Sequence, residues 1–146
     1  MSFDLKTATP DTTLPINGFL FGADSQSASN PSVYPAVNVI GVTQSSKSAD
    51  YTLTLADAGT HILHPSSDAS GRTFTIPANA SVAYPVGTVV TFINAGGTIT
   101  IAITSDTMYL AGAAATTGSR TLDAYGMASA IKIASTTWVI SGSNLS

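Results

Sequence analysis

Glutamate is absent from this chain of 146 residues, and its eight acidic residues are all aspartate. Glutamate is a good helix former, whereas aspartate competes with the backbone for hydrogen bonds and is typical of turns and caps. Threonine and serine together make up roughly a quarter of the residues, and β-branched threonine suits a pleated, half-buried surface. The composition therefore predicts an all-β protein whose polar faces carry hydroxyl groups instead of charges.

Charge of either sign is also scarce. Charged residues make up 9% of the chain, against about 25% in ordinary soluble domains. A monomer normally needs more charge than this to stay soluble, so we expect part of the surface to be shielded in an oligomer or a larger assembly. A small, threonine-rich β-domain can also be weakly charged on its own, and that alternative stays open.

The charge balance and the missing cysteine exclude several classes of partner. The formal net charge is −3, and five basic residues are scattered along the chain: Lys6, Lys47, Arg72, Arg120 and Lys132. Nucleic-acid binding needs clustered Lys and Arg, so no nucleic-acid partner is predicted. Without cysteine there can be no disulfide and no thiolate metal site.

Long apolar runs are lacking as well. Mean hydropathy is +0.29, yet no run approaches the 18 or so residues that span a bilayer, so no membrane insertion is predicted. The start of the chain lacks a charged region followed by an apolar one, so no secretory signal is expected.

Residues 1–45 are predicted to form an extended N-terminal arm. Four prolines, Pro10, Pro15, Pro31 and Pro35, punctuate this stretch, and proline forces extended segments and lacks the amide donor of a central strand. Within the arm, Phe19, Leu20 and Phe21 form an apolar cluster that we interpret as an anchor. The alternative is an edge strand packed on the chain's own domain.

Residues 46–146 are predicted to form one antiparallel β-domain, a sandwich or barrel of jelly-roll type, because short strands and turn signals alternate. One hairpin is predicted to join 88–93 to 98–104 across Asn94–Gly97, with Ile99, Ile101 and Ile103 on one face. A second joins 130–133 to 137–140. Further strands are predicted at 36–43, 51–55, 60–64 and 73–76, with Tyr51, Leu53 and Leu55 sharing a face.

No constellation of residues indicates catalysis. The chain has no nucleophile elbow and no phosphate-binding loop, so it is predicted not to be an enzyme and to bind no cofactor. His61 and His64 lie three residues apart, which places them on opposite faces of a strand, so no metal site is predicted. Trp138 is interpreted as a core aromatic, with an exposed sugar-stacking platform beside Tyr109 and Tyr125 as the alternative.

An ordered set of motifs runs through residues 50–142. It comprises Tyr51-Thr-Leu-Thr-Leu-Ala-Asp-Ala-Gly59, Thr75-Ile-Pro-Ala-Asn79, Tyr84-Pro-Val-Gly-Thr88, Asn94-Ala-Gly-Gly-Thr-Ile-Thr-Ile101, Arg120-Thr-Leu122, Tyr125-Gly126 and Trp138-Val-Ile-Ser-Gly142. This set resembles a β-domain of tailed-bacteriophage virion proteins, found in tail-fibre-like, head-fibre and capsid-decoration components. Residues 11–40 resemble the leader segments of such proteins more weakly.

The resemblance implies a function. Such proteins are commonly homotrimers that attach to the virion by the N-terminal part and display the C-terminal domain outward. The resemblance therefore implies that Phe19, Leu20 and Phe21 are the virion-attachment residues. The chain is thus predicted to be a virion structural protein, made in the bacterial host cytoplasm and carried on the capsid or tail surface. The absence of a long shaft favours a short head fibre or capsid-decoration (cement) protein that binds a major capsid or tail protein. The alternative is a receptor-binding, tail-fibre-like module that attaches the virion to host glycans through Tyr109, Tyr125 and Trp138.

Overall fold

The structure is a computed structural model, and it describes residues 19–22, 32–35, 41–113 and 115–146. The chain divides into two compact units, Met1–Gly41 and Val42–Ser146. In the first unit, strands β1 (Phe19–Gly22) and β2 (Ser32–Pro35) pair antiparallel, with Leu20 opposite Tyr34.

The second unit contains nine strands and one short 3-10 helix among its described residues. The strands are β3 (Gln44–Ser46), β4 (Tyr51–Thr52), β5 (His61–His64), β6 (Arg72–Ile76), β7 (Val89–Asn94), β8 (Ile99–Ile103), β9 (Thr107–Leu110), β10 (Arg120–Ala134) and β11 (Thr137–Leu145). The helix spans Leu55–Asp57. The all-β prediction is confirmed. No helix in the part of the chain that the structure describes is long and apolar enough to cross a membrane.

Strands β3 to β8 form a solenoid-like stack. The odd strands β3, β5 and β7 pair in parallel, and the even strands β4, β6 and β8 pair in parallel beside them. The chain therefore alternates between two ladders, and each odd–even pair makes one coil. The predicted antiparallel sandwich or barrel is corrected to this arrangement.

Strand β10 closes the stack by crossing both ladders. Its first residues pair antiparallel with β8, and Met127–Ile131 pair antiparallel with β7. Strand β11 then pairs antiparallel with β10, and β9 pairs in parallel with the start of β11. The predicted hairpin of 130–133 with 137–140 is confirmed, because Ala130 lies opposite Ile140.

The predicted hairpin across Asn94–Gly97 is wrong, although its two strands exist. Strands β7 and β8 do not pair with each other, and each lies between its neighbour in the stack and β10. The four residues therefore form a corner between two ladders instead of a hairpin loop. A hairpin loop and a corner between two ladders both need a tight, glycine-containing turn, so their local sequences are alike.

The core lies between the ladders and is built from alternate residues of the strands. Ile99 and Ile101 are buried and Ile103 packs partly buried against the core, so their predicted common face is confirmed. Leu55 departs from the predicted face of Tyr51 and Leu53, because it is exposed and begins the 3-10 helix. Asp57 ends the strand by accepting hydrogen bonds from the backbone N–H and the hydroxyl of Thr54 at 2.7 and 3.0 Å, which is the geometry of a capping box.

Other predictions had mixed outcomes. The strands predicted at 60–64 and 73–76 correspond to β5 and β6, whereas β3 and β9 were not predicted. Most of the strand predicted at 36–43 lies outside the described residues, and Gly41–Thr43 are not part of a strand.

Candidate functional site

Strands β5, β7, β10, β11 and β9 lie side by side in this order. The outward side of this part of the sheet carries two rows of apolar residues. The first row joins Val89, Ile131, Val139 and Tyr109, which are direct cross-strand partners. The second joins Leu63, Ile93 and Met127. We call these seven residues the apolar face. Four of them, Val89, Tyr109, Met127 and Ile131, are among the exposed large hydrophobic residues of the described chain.

A row of hydroxyl groups separates the two apolar rows. Thr91 lies opposite Ser129, which lies opposite Ser141, and the hydroxyls of Thr91 and Ser129 are 2.9 Å apart. His61 begins this row, and its Nε2 is 3.0 Å from Gln44 Oε1. None of the residues in the three rows is Asp, Lys or Arg. Exposed apolar side chains with no charge among them are typical of a surface that another protein covers.

One corner of the stack is polar and fully hydrogen-bonded. Buried His64 has Nδ1 at 3.0 Å from both Asn94 Oδ1 and the Gly97 carbonyl, and Nε2 at 3.1 Å from Asp68 Oδ2. Asn94 in turn donates from Nδ2 to the Leu122 carbonyl. We call His64, Asp68, Asn94 and Gly97 the polar corner. Its bonds join successive layers of the stack.

Asp68 is the charged member of the polar corner. Arg72 donates from Nε and Nη2 to its two carboxylate oxygens at 2.7 and 3.2 Å, and these hydrogen bonds hold the pKa of Asp68 well below its ordinary value of 3.8. Because the folded-state pKa is lowered, this carboxylate stabilises the fold above that value, and the contribution is lost as the pH falls through the folded-state pKa. At neutral pH the carboxylate of Asp68 therefore stays ionised beside Arg72.

A second polar cluster lies inside the stack, at the end of β10. Lys132 is 1% exposed, and its Nζ donates to Asn79 Oδ1 at 2.6 Å. The two carboxylate oxygens of Asp106 accept from the Asn79 backbone N–H at 3.2 and 3.1 Å. The ring of Trp138 lies 5.7 Å from the Lys132 ammonium. Along the sequence Lys132 is one of five scattered basic residues, and no motif connects it with Asn79 or Asp106.

The structure separates the predicted glycan-contact residues. Trp138 is fully buried, so its ring cannot form an exposed platform, and the core interpretation is confirmed. Tyr109 lies opposite Val139, whereas Tyr125 is 84% exposed in the bulge of β10 opposite the end of β11. The two rings thus lie near opposite ends of β11. Glycan contact at either tyrosine stays a prediction.

The remaining site predictions concern attachment and metal binding. Phe19, Leu20 and Phe21 lie on β1, and their side chains fall outside the described part of the chain, so virion attachment through them stays a prediction. His61 points outward and His64 inward, as predicted from their spacing. Among the described residues no group of three or more His, Asp or Glu side chains is arranged to hold a metal ion.

Comparison with known proteins adds no relative: no protein-family model, no curated protein and no solved structure matches the chain.

Proposed function

We propose that this chain is a self-associating structural protein of a bacteriophage virion, a short head fibre or capsid-decoration protein that works as a homotrimer. The apolar face supports self-association. It places seven apolar side chains in register along the stack, with no charged group among them. The virion role rests on the ordered motifs of residues 50–142.

Burial of the apolar face against a second copy of the chain is more favourable than its exposure to water. Full burial of one Ile, Val or Met side chain contributes about 1.5–3 kcal/mol, and the partly exposed residues of the face would each supply a fraction of this. Two identical faces also meet without charge repulsion. The rows run along the stack direction, so copies with parallel axes can surround one common axis and bury every face in a closed ring.

Trimer formation would also strengthen attachment to the particle. In a trimer, three N-terminal arms reach the shell together, and the second and third contacts form at high effective concentration. A protein that binds only the assembled lattice stabilises that lattice by mass action. Phe19, Leu20 and Phe21 are the proposed attachment residues, on β1.

The self-association is tested by placing a charge in the centre of the apolar face. Ile131→Asp is expected to weaken the oligomer at least tenfold, which corresponds to about 1.4 kcal/mol, because a carboxylate would be buried against a copy of itself. Val86→Asp is the matched control, since Val86 is 63% exposed and lies outside the face. Sedimentation equilibrium measures the oligomer. A wild-type chain that stays monomeric at high concentration contradicts the proposal.

The virion role is tested by co-sedimentation with purified particles of the encoding phage. The full chain is expected to bind these particles, and a chain lacking residues 1–35 is expected to keep its oligomer and lose the binding. Normal binding by the truncated chain would show that the arm is not the attachment segment. Binding to a glycan array without binding to particles would favour the alternative, a receptor-binding module.

A further inference from the structure

Lys132 occupies a position that an apolar residue would be expected to fill. The inward side of β10 runs through Ala128 and Ala130 to Lys132, and all three are buried. The Lys132 ammonium makes one hydrogen bond, to the Asn79 side chain, and no Asp carboxylate lies within 4.0 Å of it among the described residues. A buried ammonium with one hydrogen bond and no counter-ion is costly. An amide nitrogen at the same place would carry no charge.

The backbone that carries each of the two side chains is also held by hydrogen bonds. Lys132 is fixed by its backbone, which donates to the Thr88 carbonyl at 2.9 Å and accepts from the Gly87 N–H at 2.8 Å. The backbone N–H of Asn79 donates to both carboxylate oxygens of Asp106. The Asn79 carbonyl bond is about 1.2 Å long, so Nζ lies less than about 4 Å from Cγ. This is close to the separation of a near-attack arrangement, about 3–3.5 Å.

We propose that Lys132 and Asn79 join spontaneously in an intramolecular isopeptide bond. The nitrogen lone pair of the Lys132 amine attacks Cγ of Asn79, a bond forms between Nζ and Cγ, and the bond from Cγ to Nδ2 breaks. A proton passes from Nζ to the departing nitrogen, which leaves as ammonia. An amine and a primary amide thereby become a secondary amide and ammonia, with no oxidant, metal or other reactant.

The cross-link would have a structural purpose that suits a chain without cysteine. Asn79 and Lys132 are 53 residues apart, and the bond would tie the loop that follows β6 to the end of β10. It would constrain the unfolded chain as a disulfide does, without depending on the redox state of its surroundings. The buried amide would also replace the buried charge.

The cross-link is tested by peptide mapping of the full, folded chain. Trypsin cleaves after Lys and Arg, and Lys132 is the last such residue. Acylated Lys132 resists cleavage, so the digest is expected to contain a branched product in which residues 73–120 are joined to 121–146. The intact mass is expected to be lower than the sequence mass by one ammonia molecule, and fragmentation of the branched product places the bond between residues 79 and 132.

Two comparisons make the result decisive. Lys132→Met and Asn79→Ala each remove one reacting group, and both are expected to give full-mass chains with separate peptides. A succinimide at Asn79 would also lose ammonia, but it would leave Lys132 cleavable and give no branched product. If aged wild-type chain that is folded by circular dichroism releases residues 121–132 as a free peptide in full yield, the proposal is overturned, whatever the variants do.

Discussion

Gly97→Ala is expected to destabilise the second unit by about 3 kcal/mol, the upper part of the range for overpacked sites. A Cβ at this position would lie 2.3 Å from the Ala69 carbonyl oxygen and 2.7 Å from that of Ser70. Both atoms belong to the backbone of the neighbouring coil, so neither can rotate away as a side chain would. The coils would have to separate at the corner, where Gly97 also accepts a hydrogen bond from His64.

Gly71→Ala is the matched control, because Gly71 lies in the same corner loops and, within the described part of the chain, the added Cβ would meet only the Thr98 carbonyl oxygen, at 3.4 Å. We expect a loss within about 1 kcal/mol at this position. For a domain of this size a difference of 3 kcal/mol corresponds to roughly 10–20 °C in melting temperature. Thermal and urea unfolding followed by circular dichroism measure both variants. Equal midpoints for the two would mean that the coils are not packed at this corner as described.

The same corner shows how far the sequence predicts the fold. Alternation of apolar and polar residues placed β6, β7 and β8 correctly, because the two-residue period depends only on which side of a strand faces the core. The pairing partners depend on residues far away in the sequence, and nothing in Asn94–Gly97 distinguishes a hairpin loop from a solenoid corner. The local pattern predicts a hairpin, because an antiparallel pair is the commoner outcome of a short turn.

The residue pattern of β10 indicates two further features, an apolar outward side and the inward position of Lys132. The side chains that point outward are Met127, Ile131 and Ile133, and those that point inward are Ala128, Ala130 and Lys132. The outward side of the strand, which faces water in an isolated chain, is therefore apolar. A strand apolar on both sides indicates a second surface to be buried, which is the apolar face. The same alternation places Lys132 inside the core. Its partner Asn79 lies in a loop, and no periodicity predicts where a loop side chain meets a strand.

Trp138→Ala is expected to cost about 3–5 kcal/mol of unfolding free energy, the range for deleting a large buried aromatic side chain. Trp138 is fully buried, and its ring packs edge-on against Tyr84 with centroids 5.6 Å apart. Tyr84 is itself tied to the chain by a hydrogen bond from its hydroxyl to the Thr54 carbonyl. The cavity would therefore open between groups that are anchored and cannot collapse into it.

Trp138→Phe separates the ring's packing from its polar atom. Nε1 of Trp138 is buried and has no hydrogen-bond partner among the residues that the structure describes, and an unpaired buried donor costs about 1–3 kcal/mol. Phenylalanine keeps an aromatic ring beside Tyr84 and removes that donor, so we expect it to lose less than half of what alanine loses in urea unfolding. Equal losses for the two variants would mean that the indole N–H is bonded in solution. A much smaller loss for phenylalanine would show that Trp138 stabilises the core through its shape alone.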